Sequence, residues 1–164
     1  TKNKAFFLDR DGVINKKRND YVKHINEFEI FDNTSKAIKL LKDRGYKVII
    51  ITNQSPINRK IISEKTLDNI HQFLKQYLKN NGTEIDAIYY CPHTPEENCN
   101  CRKPKPGLLI KAAKEHNIEL KKSFFIGDSN SDIQAANAVN CKGILLKNNK
   151  LIDIVEDYLK KYGK

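Results

Sequence analysis

The chain has 164 residues, with 30 Lys and Arg against 20 Asp and Glu and a net charge of +10. That length predicts one domain over residues 1–164 around a single hydrophobic core. The longest aliphatic run, Val48-Ile49-Ile50-Ile51, is too short to cross a bilayer, and Thr1 to Leu8 carries no signal-peptide pattern, so the cytoplasm is the expected compartment. The positive charge admits a nucleic-acid partner. However, the lysines are dispersed through helix-like segments without interleaved aromatics, and a solvated surface attractive to small anions is the simpler reading. No long apolar stripe is visible, so a monomer without membrane contact is expected.

In chain order, residues 4–8 read as a strand, and Thr34 or Ser35 as the cap of a helix whose Ala37, Ile38, Leu40 and Leu41 face inward until Gly45. Residues 47–52 are apolar in succession, the pattern of a strand buried on both faces. Ser63 caps a long helix with Leu67, Ile70, Phe73, Leu74, Tyr77 and Leu78 at helical spacing, ending before Gly82. Strands follow at residues 85–90, 123–126 and 142–146, with helices at 108–117, 132–138 and 151–161. Strands alternating with helices predict an α/β fold, an open parallel sheet with helices on both faces. In such sheets ligands bind outside the carboxyl ends of the strands.

Chemistry-bearing residues collect at those ends. The first strand runs into Asp9-Arg10-Asp11-Gly12, two carboxylates whose mutual repulsion calls for a cation, and Mg²⁺ suits an all-oxygen site. One such carboxylate can attack phosphorus while the other exchanges protons with leaving group and water. A second strand ends in Thr52-Asn53-Gln54-Ser55, a set of hydroxyl and amide groups. A further one ends in Gly127-Asp128 with Asp132 beyond, and Asp132 by itself reads equally as a dipole partner in a first helical turn. Between them Cys91, His93, Cys99 and Cys101 form a Cys₃His set suited to a closed, structural Zn²⁺ site, the alternatives being a Cys99–Cys101 redox pair or chance clustering. Arg102-Lys103-Pro104-Lys105-Pro106-Gly107 follows, a proline-stiffened loop able to hold a cation against a phosphoryl group.

In this order, Asp9-Arg10-Asp11-Gly12-Val13-Ile14-Asn15, Thr52-Asn53-Gln54-Ser55, Lys103 and Gly127-Asp128 resemble the four motifs of the haloacid-dehalogenase superfamily of phosphatases, from about Phe6 to Ala138. The cysteine loop and Arg102-Lys103-Pro104 are similar to the branch that holds heptose-bisphosphate and histidinol-phosphate phosphatases. Tyr21-Val22, Phe28-Glu29 and Tyr89-Tyr90-Cys91-Pro92-His93 look closer to its sugar-bisphosphate members. The resemblance implies a Rossmann-like sheet in which Asp9 is the nucleophile and Asp11 the general acid and base. It further implies Mg²⁺ on the Asp9 and Asp128 side chains and the Asp11 backbone carbonyl, with Thr52 and Lys103 holding the phosphoryl group. Asn53, Gln54, Ser55 and Arg102 are implied as substrate contacts. Residues 12–33 and 55–101 are too short for a cap domain. Pro56, and the basic run Lys16-Lys17-Arg18-Asn19-Asp20, depart from the family pattern where loops border the substrate.

A small phosphorylated metabolite, of sugar-bisphosphate type, is therefore the expected partner. Histidinol phosphate, a nucleic-acid 3′-phosphate and a non-catalytic zinc-stabilised nucleic-acid-binding module are the alternatives. The last has no use for Asp9, Asp11, Thr52, Lys103 and Asp128 in motif order.

Overall fold

The computed structural model describes residues 2–162. Its strands are β1 (Ala5–Leu8), β2 (Lys47–Asn53), β3 (Ala87–Cys91), β4 (Phe124–Gly127) and β5 (Lys142–Leu145). They form one parallel sheet in the order β3-β2-β1-β4-β5, with Phe7 opposite Ile49 on one side and Phe125 on the other. Successive strand residues point to opposite faces. Phe6, Leu8, Val48 and Ile50 therefore pack under α1 (Thr34–Asp43), α2 (Glu64–Asn80) and α5 (Leu151–Tyr162), while Ala5, Phe7, Ile49 and Ile51 pack under α3 (Gly107–Glu115) and α4 (Asn130–Ala138). Each fully buried Leu, Ile or Phe contributes roughly 1.5–3 kcal/mol, so the two faces of β1 and β2 carry much of the stability. Among the described residues no helix is long and apolar enough to cross a membrane.

Local chemistry sets the element ends. Ser63 caps α2 as its side chain accepts from the Thr66 amide at 3.1 Å. Asn33, rather than Thr34 or Ser35, occupies the cap position of α1, and the Thr34 hydroxyl instead donates to the Ile14 carbonyl at 3.0 Å. Helix α4 begins at Asn130, two residues before the expected start, because Ser129 and Asp132 form a reciprocal capping box. Phe73, expected to face inward, is 39% exposed and meets the Phe28 ring edge-on. It sits on the shoulder of the helix stripe, and Leu74 takes the core position.

The chain runs outward from β1 through β2 to β3, then returns to the far side of β1 for β4 and β5. Connections leaving β1 and β4 therefore diverge, opening a crevice at their carboxyl ends. Gly12 lines the turn out of β1 with φ 91°, and a side chain there would collide with the Asp128 carboxylate. Glycine thus lets the two strand ends close on one another.

Candidate active site

Asp9 follows β1 directly, and its amide donates to the Ile126 carbonyl of β4 at 3.0 Å. Asp128 follows β4, and Asp132 points back from the first turn of α4. Carboxylate oxygens of Asp9, Asp128 and Asp132 lie within 4.8 Å of one another. Lys103 enters this group from the loop before α3, with Nζ 3.1 Å from Asp9 Oδ1, 2.5 Å from Asp132 Oδ1 and 3.1 Å from the Ile51 carbonyl. Only 5% exposed, Lys103 would lose its proton more readily through burial, but Asp9 and Asp132 outweigh that and hold it charged.

One ammonium among three carboxylates leaves the site rich in negative charge. Burial pushes the Asp9 pKa up to about 7; Lys103 opposes the rise, while Asp132, Asp11 and Asp128 add to it. Burial likewise raises Asp128, with Lys17 opposing from 3.9 Å. A bound divalent cation would relieve this repulsion, and the all-oxygen donor set fits Mg²⁺.

Asp11 lies beside this group in a separate network. Its Oδ1 accepts from Arg10 Nη2 at 3.0 Å and Asn15 Nδ2 at 2.9 Å, and its Oδ2 from Gln54 Nε2 at 3.0 Å. Burial acts to raise its pKa, but the Arg10 charge and these hydrogen bonds outweigh it and hold the carboxyl below the usual range.

The end of β2 divides its residues between a wall and a floor. Asn53 and Ser55 border a cavity of 460 Å³ together with Asp9, Asp11, Asp128 and Lys103. Asn53 also brackets Lys103, its Oδ1 accepting from the Lys103 amide at 3.1 Å and its Nδ2 donating to the Lys103 carbonyl at 3.3 Å. Thr52 and Gln54 are buried beneath that wall, with Gln54 Nε2 donating to Thr52 Oγ1 at 2.9 Å. Gln54 thus departs from the expected substrate contact: alternation along the extended chain turns it inward, where its amide supports Asp11.

Arg102 faces the cavity, tied to the His93 carbonyl at 3.2 Å, while Lys105 turns away and donates to the Cys99 carbonyl at 2.9 Å. Lys17, Arg18 and Arg59 complete a basic rim. Arg59 was not among the expected site residues; its signal lay in the four-residue step from Ser55, whose hydroxyl accepts from Arg59 Nε at 3.2 Å. The sequence leaves Asp132 open between a strand-end site acid and a helix-end dipole partner, and the structure brings it to the site. Its spacing from Asp128 and its place in a capping box were the signs that it points back to the strand end.

Cys91, His93, Cys99 and Cys101 converge with all ligand atoms within 4.8 Å. The four cysteines are free, and the Cys99 and Cys101 sulfurs stand 3.6 Å apart. Zn–S bonds of about 2.3 Å place tetrahedral sulfurs about 3.8 Å from each other. Cys91 and Cys99, at 3.4 Å, are close to that spacing, whereas Cys91 and Cys101 are nearer at 2.6 Å. Three thiols and an imidazole give a donor set that suits Zn²⁺.

The haloacid dehalogenase-like hydrolase family model matches residues 3–140, and the chain belongs to this family of hydrolases. The D-glycero-beta-D-manno-heptose-1,7-bisphosphate 7-phosphatase of Helicobacter pylori (strain J99) is 48% identical over 153 residues, covering 93% of this chain and 84% of the relative. Its counterpart in Pseudomonas aeruginosa is 40% identical, covering 87% of this chain and 80% of the relative. Among crystal structures, D,D-heptose 1,7-bisphosphate phosphatase from B. bronchiseptica, complexed with magnesium and phosphate, superposes with a TM-score of 0.90 at 31% identity, over 96% of this chain and 99% of that one.

Proposed function

We propose that this chain, as one domain, is a Mg²⁺-dependent phosphomonoester hydrolase that removes the 7-phosphate of D-glycero-D-manno-heptose 1,7-bisphosphate. The observation that carries the reading is the Asp9 carboxylate on the wall of an open basic cavity, with the Lys103 ammonium 3.1 Å away. Its relatives of 40–48% identity act on this sugar bisphosphate by name.

Asp9 attacks phosphorus, the bond to the sugar oxygen breaks, and Asp11 gives that oxygen its proton. Water then attacks the aspartyl-phosphate, passes a proton to Asp11 and releases inorganic phosphate with Asp9 restored. Lys103 and Thr52 hold the transferred group, Lys103 stabilising its charge, and Asn53 and Ser55 offer further polar contacts. The Asp9 and Asp128 carboxylates and the Asp11 backbone carbonyl would hold Mg²⁺, which would supply the charge that lets two anions meet. The low pKa of Asp11 favours its role as base towards water; its role as acid requires the proton to be delivered with substrate or solvent. Arg102, which lines the cavity wall, takes the second phosphate in this reading.

A turnover panel with Mg²⁺ tests the assignment. Heptose 1,7-bisphosphate is expected to exceed histidinol phosphate and a 3′-phosphorylated oligonucleotide by at least about tenfold in kcat/KM, and Arg102→Ala should lower the bisphosphate value about tenfold more than that of a monophosphate. Preference for either competitor would overturn the substrate assignment. Equal losses in Arg102→Ala would remove the clamp.

Cys91, His93, Cys99 and Cys101 would hold Zn²⁺ through three thiolates and an imidazole, a donor set that gives the metal a structural part. Stripping it with a chelator should lower the melting temperature by several degrees, since the binding free energy is folding free energy. Differential scanning calorimetry alongside metal analysis checks this; unchanged melting in zinc-free protein would show the loop to be self-supporting.

A further inference from the structure

His71 takes no part in the chemistry set out above, yet it is 5% exposed on the inner face of α2, with Nε2 3.1 Å from Arg10 Nη1. Its neighbours on that face, Leu67, Ile70, Leu74 and Leu78, are all apolar, so packing alone gives no reason for an imidazole. Arg10 is 1% exposed, its guanidinium 5.4 Å from the centre of the Phe28 ring. A guanidinium has only donors, so His71 Nε2 accepts, and the neutral ring carries its proton on Nδ1. Burial, reinforced by the Arg10 charge, pushes the His71 pKa down to about 3 and keeps that acceptor form.

With one edge of the guanidinium held, the other turns to Asp11. Nε lies 3.3 Å from Oδ1, and Nη2 lies 3.0 Å from Oδ1 and 3.3 Å from Oδ2. We propose that His71 is a positioning residue for proton transfer: through Arg10 it fixes the direction in which Asp11 presents its carboxyl to the leaving-group oxygen. The inference rests on the phosphatase reading above.

Two esters separate positioning from mere support of the fold. Heptose 1,7-bisphosphate releases an alkoxide that needs a proton, whereas p-nitrophenyl phosphate releases a phenolate that needs none. The comparison uses kcat/KM, which covers the steps up to leaving-group departure and excludes hydrolysis of the phosphoenzyme. His71→Leu should lose about 10–100-fold on the sugar ester and less than about threefold on the nitrophenyl ester. His71→Gln, whose amide oxygen can accept from Arg10, should recover most of the loss, and Asp11→Asn should show the same asymmetry more strongly.

Equal losses on the two esters, or none on either, in a folded His71→Leu protein would overturn the proposal. Should that variant not fold, the shorter His71→Asn against His71→Gln makes the same comparison. A wild type that hydrolyses the nitrophenyl ester and histidinol phosphate but not the heptose ester would refute only the substrate, and histidinol phosphate then serves as the alkyl probe. A wild type inactive on all three would refute the phosphatase reading and this role with it.

Discussion

Asp9→Asn is expected to lower turnover by at least about 10⁴-fold while the protein stays folded, because the amide has no charge with which to attack phosphorus. Single-turnover assays with Mg²⁺, together with circular dichroism, check both halves; residual formation of a phosphoenzyme would rule out Asp9 as the nucleophile. The same variant has a second, pH-dependent signature. In metal-free protein the folded state keeps the Asp9 proton up to about pH 7, whereas the unfolded chain loses it near the ordinary value of 3.8. Folded protein thus binds more protons across that window, so wild-type stability falls as pH rises through it. Asp9→Asn removes this loss. The metal-free variant should therefore melt above wild type at pH 8, with the gap closing towards pH 4. A gap that is absent or reversed would mean that Asp9 is already ionised without metal.

Lys103→Met should cost both activity and stability. Its ammonium lies within 3.1 Å of both Asp9 and Asp132, and removing it strips the fully buried Asp132 of its cation. Breaking a buried pair in this way costs about 3–5 kcal/mol, against the 5–15 kcal/mol typical of a whole domain. Turnover should fall about 10²–10³-fold, the usual loss when a preorganised charge is taken from a phosphoryl or oxyanion site. Chemical denaturation with and without Mg²⁺ is the measurement, with the metal recovering part of the stability but little of the rate. Lys103→Arg is not expected to rescue, because the larger planar group has no room at a side chain 3% exposed. An unfolding midpoint within error of wild type would refute the buried-network account.

Much of this arrangement could be read from the chain itself. Val48 to Ile51 are apolar without alternation, the mark of a strand covered on both faces, and the order of the motifs along the chain points to Asp9, Asp128 and Lys103 meeting at one sheet edge. Single residues against one background were harder. Gln54 and Ser55 are equally polar, and only the direction of the chain after β2 decides that Ser55 meets the cavity while Gln54 lies behind Asp11. His71 and Phe73 stand two residues apart on α2, and their places invert the usual rule: the histidine is buried and the phenylalanine is half out. That inversion depends on Arg10, distant in sequence, and local periodicity does not register such a partner. Asp132 stays open in the sequence for a similar reason, since an acid in a first helical turn is ordinary until a lysine from another loop meets it.

The segment carrying Lys103 is pinned from several sides. Asn53 brackets its backbone, Arg102 ties to His93, Lys105 ties to Cys99, and the Gly107 amide reaches the Asn100 carbonyl. Thr94 to Asn98 form a short outward turn between two of the cysteine-loop ligands, held by its own capping box and by Asn58 Nδ2 donating to Glu97 at 3.0 Å rather than by the Lys103 segment. Insertions or deletions there can be absorbed without shifting the ammonium. A change of length in that turn would therefore alter the outer surface and leave the cavity wall, to which it contributes no residue, and the reacting centre where they are.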